Sequence, residues 1–511
     1  MLLTLLIVVP LAGALLTAVA PRASWAKVMA LAVSIGVWIL AIPLWTGFDS
    51  SDGGFQFSVD TALIPLAGIR FHLGLDGISL WLVQLTVLLT PLVALGSFKS
   101  IQKAERGFYS LLLLLEATLL GTFLSLDLVL FYIFWELMLI PMFFIIGIWG
   151  GAGRVYASLK FVLFTMVGSL PMLIAVLWIG HVGKTFDYVQ LLQNRLPPDV
   201  QFWCFLICAL AFMIKLPVVP LHTWLPDAHT EAPAGGSVML AGVLLKMGAY
   251  GLMRVCIPLF PDASQDFAPL MLVLGVVGIV YGALVAAAQT DMKRLVAYSS
   301  VSHMGFVLLA IFTFNMQALQ GGVLQMVSHG LTTGALFFLV GMVYERSHTR
   351  KIEDLGGLAK VTPVLAAAFL FASLSSMALP GLCGFVGEFL ILSSAWTNHP
   401  ILTVIATTGV ILGAWYLLSL FGRVFWGPLK HEEHRAWKDL SFREGLVLAP
   451  ILALILLIGV KPTPFLTPME KSIQMTVLSR LTPPPLLMDY AAQEKHNQEH
   501  KAPKPAERRR P

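Results

Sequence analysis

Charge is the scarcest thing in this chain. Of 511 residues only 12% are Asp, Glu, Lys or Arg, while 57% are hydrophobic, and mean hydropathy is +0.82. Long uncharged runs recur from end to end, a balance that excludes a soluble globular fold of this size. Cysteine is nearly absent as well. Cys204, Cys208, Cys256 and Cys383 lie in or beside apolar stretches, where a free thiol behaves as a small buried hydrophobe. Cys204 and Cys208 share a helix face, but no haem, iron–sulfur or zinc spacing occurs, and no glycine-rich dinucleotide or phosphate loop. Any redox chemistry is therefore expected in another chain. The first run, 2–20, lacks the basic start of a secretory signal and is read as a retained helix.

What remains is an all-α polytopic membrane protein of about fourteen spans. They are placed at 2–20, 27–46, 76–97, 108–126, 127–149, 155–180, 201–225, 233–258, 268–289, 294–314, 319–344, 363–395, 401–427 and 444–461. Lys and Arg gather in the odd-numbered connections: Arg22 and Lys27, Lys99 to Arg106, Arg154 and Lys160, Lys293 and Arg294, Arg346 to Lys360, and Arg423 to Arg443. Those connections are assigned to the cytoplasmic side, which puts both termini outside. The basic end, Arg508 to Arg510, runs against that rule, but distal tails carry little weight in it.

Spans four to eight and nine to thirteen are two runs of five. Five is odd, so the second run starts from the opposite face, as in an inverted repeat. Proline interrupts the fourth member of each run, at Leu216-Pro217 and at Leu379-Pro380-Gly381. A broken helix at membrane depth is tolerated where it lines protein or water. The matched breaks predict two half-channels. The expected divisions are 1–107 (three N-terminal helices), 108–258 (first repeat), 268–427 (second repeat) and 428–511 (last helix and polar tail).

Against this background the intramembrane charges stand out. Each costs roughly 2.5–3.5 kcal/mol even on the low insertion scales. Glu136 lies mid-span in Phe134-Trp135-Glu136-Leu137, Lys215 just before the first break, Lys246 near the centre of span eight, and Glu388 in the second broken span. Glu116 is a fifth, and hydrogen bonding to a neighbouring helix would account for it equally well. Asp127 opens the Glu136 helix and reads as a cap. A carboxylate about 4 Å from a lysine is worth about 4 kcal/mol at an effective dielectric near 20. Making and breaking one such pair can switch a buried lysine's proton, and Glu136 is the expected partner of Lys215. His303 and His329 fall on adjacent spans and suit a relay through water. His222, beyond Pro220, suits an entry path or plain packing.

In this order, these residues resemble the antiporter-like subunits of respiratory complex I, over about 70–430. The resemblance rests on Asp127-Leu-Val-Leu-Phe-Tyr-Ile-Phe-Trp-Glu136-Leu-Met-Leu-Ile-Pro141, on Lys215-Leu-Pro-Val-Val-Pro-Leu-His-Thr-Trp-Leu-Pro-Asp-Ala-His229, and on Asp291-Met-Lys-Arg-Leu-Val-Ala-Tyr-Ser-Ser300. It implies that Glu136 and Lys215 are a coupling pair and Lys246 the central proton carrier, with His303 and His329 leading to a terminal Glu388. Related chains carry a lysine at this last position. The resemblance also implies no cofactor in this chain: NADH, FMN, iron–sulfur clusters and quinone would belong to partner subunits of the oxidoreductase. Membrane-arm chains L and N would flank it in a bacterial inner membrane, with no nucleic-acid partner. The Pro483–Pro485 end suggests that the long lateral helix of chain L is missing. Two other readings compete. A Na⁺/H⁺ antiporter subunit of the Mrp type would share Glu136 and Lys215, though Glu388 argues against it. A non-transporting scaffold would not need five buried charges.

Overall fold

The computed structural model describes residues 1–481. The helices run in chain order from α1 (Leu2–Ala18) and α2 (Ala23–Thr46), through a two-stranded hairpin of β1 (Gln56–Ile64) and β2 (Ile69–Leu75), to α3 (Gly77–Ser100) and α4 (Glu105–Leu124). Then come α5 (Leu128–Leu137), α6 (Leu139–Trp149), α7 (Arg154–Gly183), the short α8 (Tyr188–Leu191), α9 (Pro198–Lys215) and α10 (Trp224–Glu231). One long crossing follows as α11 (Ala234–Met239), α12 (Leu245–Gly251) and α13 (Ile257–Leu259), joined by π-helical turns at 240–244 and 252–256. The second half holds α14 (Pro261–Ala287), α15 (Met292–Phe312), α16 (Met316–Ser347), α17 (Pro363–Ser376), α18 (Cys383–Asn398), α19 (Pro400–Phe425) and α20 (Phe442–Val460). The described chain ends with α21 (Thr463–Ile473) and α22 (Ser479–Leu481).

Among the described residues, twelve helical segments are long and apolar enough to cross a membrane, and α1 and α17 are shorter apolar helices. Together they account for the fourteen expected spans. Burial sorts them into layers. The 234–259 crossing is 100% buried and α15 and α16 94%, whereas α2 is 28%, α19 and α20 33% and α7 39% buried. The last four turn rows such as Leu163, Val167, Leu170 and Ile174 outward, so hydrocarbon or another apolar chain must cover them. Inside, helices approach by losing side chains. A Cβ on Gly282 of α14 would meet the Ser302 backbone of α15 at 2.6 Å, and one on Gly305 the Gly275 carbonyl at 2.7 Å. Small residues that let backbones touch are the usual membrane glue.

Both breaks are present. Between α9 and α10 the chain unwinds over 216–223, and the indole of Trp224 donates to the freed Ile214 carbonyl at 2.9 Å. Between α17 and α18 it unwinds over 377–382, where Ala378 and Gly381 take positive φ. The Ser328 hydroxyl from α16 donates to the Cys383 carbonyl at 3.1 Å. Each break thus re-pairs part of its exposed backbone with protein, as membrane depth requires.

A second correspondence links the two runs. Asp127 caps α5, accepting from the Val129 and Leu130 amides, and Asp291 caps α15, accepting from Lys293 and Arg294. Beside the first cap, Leu128 N–H donates to the Phe186 carbonyl and Tyr188 N–H to that of Leu126. Beside the second, Met292 donates to Arg350 and Ile352 to Thr290. The four positions of the second set each lie 164 residues after the first: 128 and 292, 186 and 350, 188 and 352, 126 and 290. The helices that lead into these bridges, α7 and α16, both end on left-handed residues, Lys184 and His348, again 164 apart. One local architecture has therefore been built twice.

Two elements depart from the sequence expectations. Residues 56–75, read as a loop, form the hairpin. Its Arg70 grips Asp60 through two hydrogen bonds of 2.7 and 2.8 Å and holds that carboxyl below its ordinary pKa range. His72 reaches Asp187 at 2.5 Å. Oxygens of Asp60 and Asp187 and a nitrogen of His72 lie within 4.8 Å of one another, and the Arg70 guanidinium supplies the positive charge there. Second, the region after α20 is not simply a polar tail. The amphipathic α21 packs under α3 with Phe465, Pro468, Met469 and Ile473 buried, and helical structure continues to Leu481. Pro483–Pro485 and Arg508–Arg510 lie outside the described residues.

Candidate functional site

Lys246 is the centre of the buried constellation. It sits on α12, directly after the π-helical turn at 240–244. A π turn withdraws a carbonyl from the α-helical ladder, and here the Ala241 carbonyl accepts from the Lys246 ammonium. The same ammonium lies 2.7 Å from Nδ1 of His329 on α16. No carboxylate pairs with Lys246 among the described residues. A buried ammonium held by neutral acceptors alone is costly, which is hard to explain as scaffolding.

From His329 the row continues across the second run. The rings of His329 and His303 are 5.7 Å apart between centroids, too far for a direct bond and right for a bridging water. His303, on α15, has both nitrogens engaged. Its Nδ1 is 2.9 Å from Glu388 Oε1 on α18, and its Nε2 is 3.0 Å from the Ser376 hydroxyl at the end of α17. The amide of Gln325 donates to the same Glu388 oxygen at 2.9 Å. The second break is what brings Ser376 and Glu388 to one imidazole, because α17 stops and α18 restarts beside it. Lys246, His329, His303 and Glu388, scattered over 143 positions of the sequence (246 to 388), thus form one buried row.

In the first run the Glu136 carboxylate acts on the Lys215 ammonium through space, as expected of a coupled pair, but not by direct contact. No hydrogen bond or ion pair joins Glu136 to Lys215 among the described residues. The Lys215 ammonium instead lies 4.2 Å from the ring centroid of Trp135 and 3.9 Å from the Met138 sulfur. The aromatic face meets the cation directly, and the Glu136 charge supports it from further off. Glu136 faces a lateral cleft of about 480 Å³ lined by Tyr132, Phe143 and Phe144, and its Oε1 has no hydrogen-bond partner among the described residues. Glu116 is fully buried on α4, where Thr90 of the neighbouring α3 is the hydroxyl that approaches it, and it bonds to no member of the row. His222 lies in the first break against the rings of Tyr281 and Tyr298, at 5.2 and 6.3 Å.

Three buried groups escaped sequence reasoning. His229 on α10 stacks on Phe337 at 4.7 Å, and neither of its ring nitrogens has a partner among the described residues. Lys293, counted above as a loop charge, is buried and donates to the Ala232 carbonyl. Arg254, eight residues past Lys246, forms a fully enclosed 2.6 Å ion pair with Asp76, the cap of α3. Arg254 lay in plain view within span eight; its charge was the available signal. The four cysteines are free and buried.

The fold and this row define a class: a polytopic α-helical membrane protein with ionisable groups strung through its middle. Residues 125–413 match the family described as NADH:quinone oxidoreductase/Mrp antiporter, TM. The chain is 42% identical over 460 residues to NADH-quinone oxidoreductase subunit M of Rickettsia felis, covering 89% of this chain and 93% of that one. Among solved structures it resembles a chain of respiratory complex I from Thermus thermophilus with bound NADH. There the identity is 35%, the TM-score 0.87, and 94% and 100% of the two chains are covered. A chain of the Mrp complex from Dietzia shares the fold at 22% identity and a TM-score of 0.83, covering 94% and 99%. This protein belongs to the NADH:quinone oxidoreductase/Mrp antiporter family of membrane subunits.

Proposed function

We propose that this chain is a proton-translocating membrane-arm subunit of an NADH–quinone oxidoreductase, in the position that subunit M holds. It is a multi-pass integral membrane protein and works as one part of a multisubunit complex. In this reading NADH, FMN, iron–sulfur clusters and quinone belong to partner chains, L and N are its neighbours, and the membrane is the bacterial inner one. The observation that carries the reading is the 2.7 Å contact of Lys246 with His329 at the head of a row ending on Glu388.

The chemistry follows from the acceptors. A charged Lys246 can pass a proton only to His329 Nδ1, since the Ala241 carbonyl cannot hold one. Protonated at Nδ1, His329 releases its other proton from Nε2, and a water between the rings carries it on. The Ser376 hydroxyl, bonded to His303 Nε2, takes it up and passes its own proton to that nitrogen, and His303 hands the Nδ1 proton to Glu388, which Gln325 holds in place. Each step is a transfer over one hydrogen bond, within reach of general acid–base exchange. Lys215 on its Trp135 face and Glu136 at the lateral cleft then form the element through which coupling from a neighbour would act. The two runs, 108–258 and 268–427, would supply the two half-paths.

The antiporter reading keeps one supporting observation, the fold shared with the Mrp chain. Native membranes carrying Glu136→Gln separate the two. NADH-driven pumping, NADH–quinone turnover and Na⁺/H⁺ exchange are measured side by side. Loss of pumping and turnover with exchange untouched is expected. Intact NADH chemistry with lost exchange would establish the antiporter instead.

A further inference from the structure

Away from the charged row, a cavity of about 300 Å³ lies between α2, α3, α16 and α20, with α21 closing one end. Trp38 and Trp45 form one wall, Trp81 and Leu85 a second, Leu331 and Ile458 the others. No charged side chain lines it. Of its polar groups, the Gln84 amide donates to the Ala41 carbonyl at 2.8 Å and the Thr46 hydroxyl to the Ile42 carbonyl at 3.3 Å. Trp38 and Trp45 are exposed, and Trp81 is the buried indole of the three. It is only 5% exposed, yet its indole Nε1–H has no hydrogen-bond partner among the described residues. A buried indole N–H normally finds an acceptor, so the site asks for a ligand that is apolar along its length and carries one acceptor near one end.

The position of the cavity says where such a ligand comes from. α2 ends at Thr46, α3 begins at Gly77 and α20 ends at Val460, so these helix ends share one membrane boundary. Trp81 stands about 6 Å inside the start of α3 at 1.5 Å per residue. Tryptophan collects at this depth, where headgroups give way to hydrocarbon. The cavity is walled by α2, the least buried of the long spans, with Ile39 55% and Trp38 39% exposed. Its occupant therefore enters from the bilayer.

We propose that this cavity binds one acyl chain of a membrane phospholipid, with the glycerol-ester carbonyl accepting a hydrogen bond from Trp81 Nε1. The uncharged lining selects the chain and its ester, with no discrimination between headgroups. The bound chain packs against Val327 and Leu331, two residues before and two after His329, so lipid forms the rear support of that part of α16.

The test uses the intact complex in vesicles of phosphatidylcholine, some of it carrying a diazirine in one acyl chain. After illumination, adducts are mapped by peptide mass spectrometry. Labelling is expected on Leu85 or Leu331, which ordinary annular lipid cannot reach, as well as on outward residues such as Ile39. The volume-filling Leu331→Trp should abolish the inner adducts and leave the Ile39 adduct in place. Trp81→Phe keeps the ring and loses the donor, and should lower inner labelling about fivefold, the weight of one net hydrogen bond. Labelling confined to outward residues would overturn the proposal. So would a photoreactive quinone that labels Leu85 where the lipid does not. Unchanged inner labelling in Trp81→Phe would overturn the ester contact.

Discussion

At the scale of the residue, the decisive feature is a lysine without a counter-ion in contact. Lys246→Met keeps the volume and removes the ammonium, leaving the Ala241 carbonyl and His329 Nδ1 facing an apolar side chain. A charge-assisted hydrogen bond is worth roughly 1.5–3 kcal/mol, so proton pumping should fall by about tenfold or more. Assembly should survive, because the native site already strains to hold a charge. Pumping by inverted vesicles, normalised to the amount of assembled complex, reads both. Glu388→Gln separates position from proton binding. The amide can still meet His303 and Gln325, so thermal stability should stay within about 1 kcal/mol while pumping drops. Equal losses of stability and pumping would reduce Glu388 to a structural role. At this scale the sequence exposed Lys246, His303, His329 and Glu388, because a charge or imidazole inside an apolar run is visible by contrast. It hid Lys293, which sits at a helix start where a loop charge is expected. It pointed to Glu136 as an influence on Lys215 but not to Trp135 as the group in contact, because which neighbour touches an ammonium depends on side-chain direction.

At the scale of the element, the caps and breaks are where backbone chemistry meets the site. Asp127→Ala and Asp291→Ala each remove a carboxylate that accepts two helix amide hydrogens and holds one further partner, the Arg70 amide or the Arg350 guanidinium. Each should cost about 1 kcal/mol, seen as a lower thermal midpoint of the solubilised complex. Similar shifts are expected for the two, since both caps stand beside the same paired bridge. Gly384→Ala is a harsher change. A methyl there would run into the Ser375 carbonyl, so α17 and α18 must part just where Ser376 and Glu388 converge on His303. Turnover and pumping should fall together, several-fold or more, with the complex still assembled. The breaks themselves were legible, because proline inside an apolar span has few other meanings. The hairpin 56–75 was not: its register shifts at two irregularities, which blurs the alternation that marks a strand. Nor was α21, whose eleven residues carry prolines at Pro464 and Pro468.

At the scale of the molecule, the count of fourteen spans and the pairing of breaks follow from hydropathy and proline alone. The strongest sign of internal duplication does not. It lies in backbone bridges 164 residues apart, where Asp127 and Asp291 keep the cap but the residues around them have diverged. Hydrogen bonds between main chains leave no trace in side-chain identity, so a sequence comparison within the chain passes over them. The duplication carries a topological consequence. If each run holds five crossings, Lys184 at the end of α7 and His348 at the end of α16 occupy equivalent places on opposite faces of the membrane. The native cysteines are all buried and should stay silent to an impermeant maleimide. Lys184→Cys and His348→Cys place single thiols at left-handed helix ends, in exposed or half-exposed connections. In sealed vesicles of one orientation, one variant should label at once and the other only after permeabilisation. If the basic residues that crowd the His348 connection hold it on the cytoplasmic side, right-side-out vesicles should label Lys184→Cys first. Labelling of both from one side would mean that the two runs are parallel copies, and the paired half-paths would have to be abandoned.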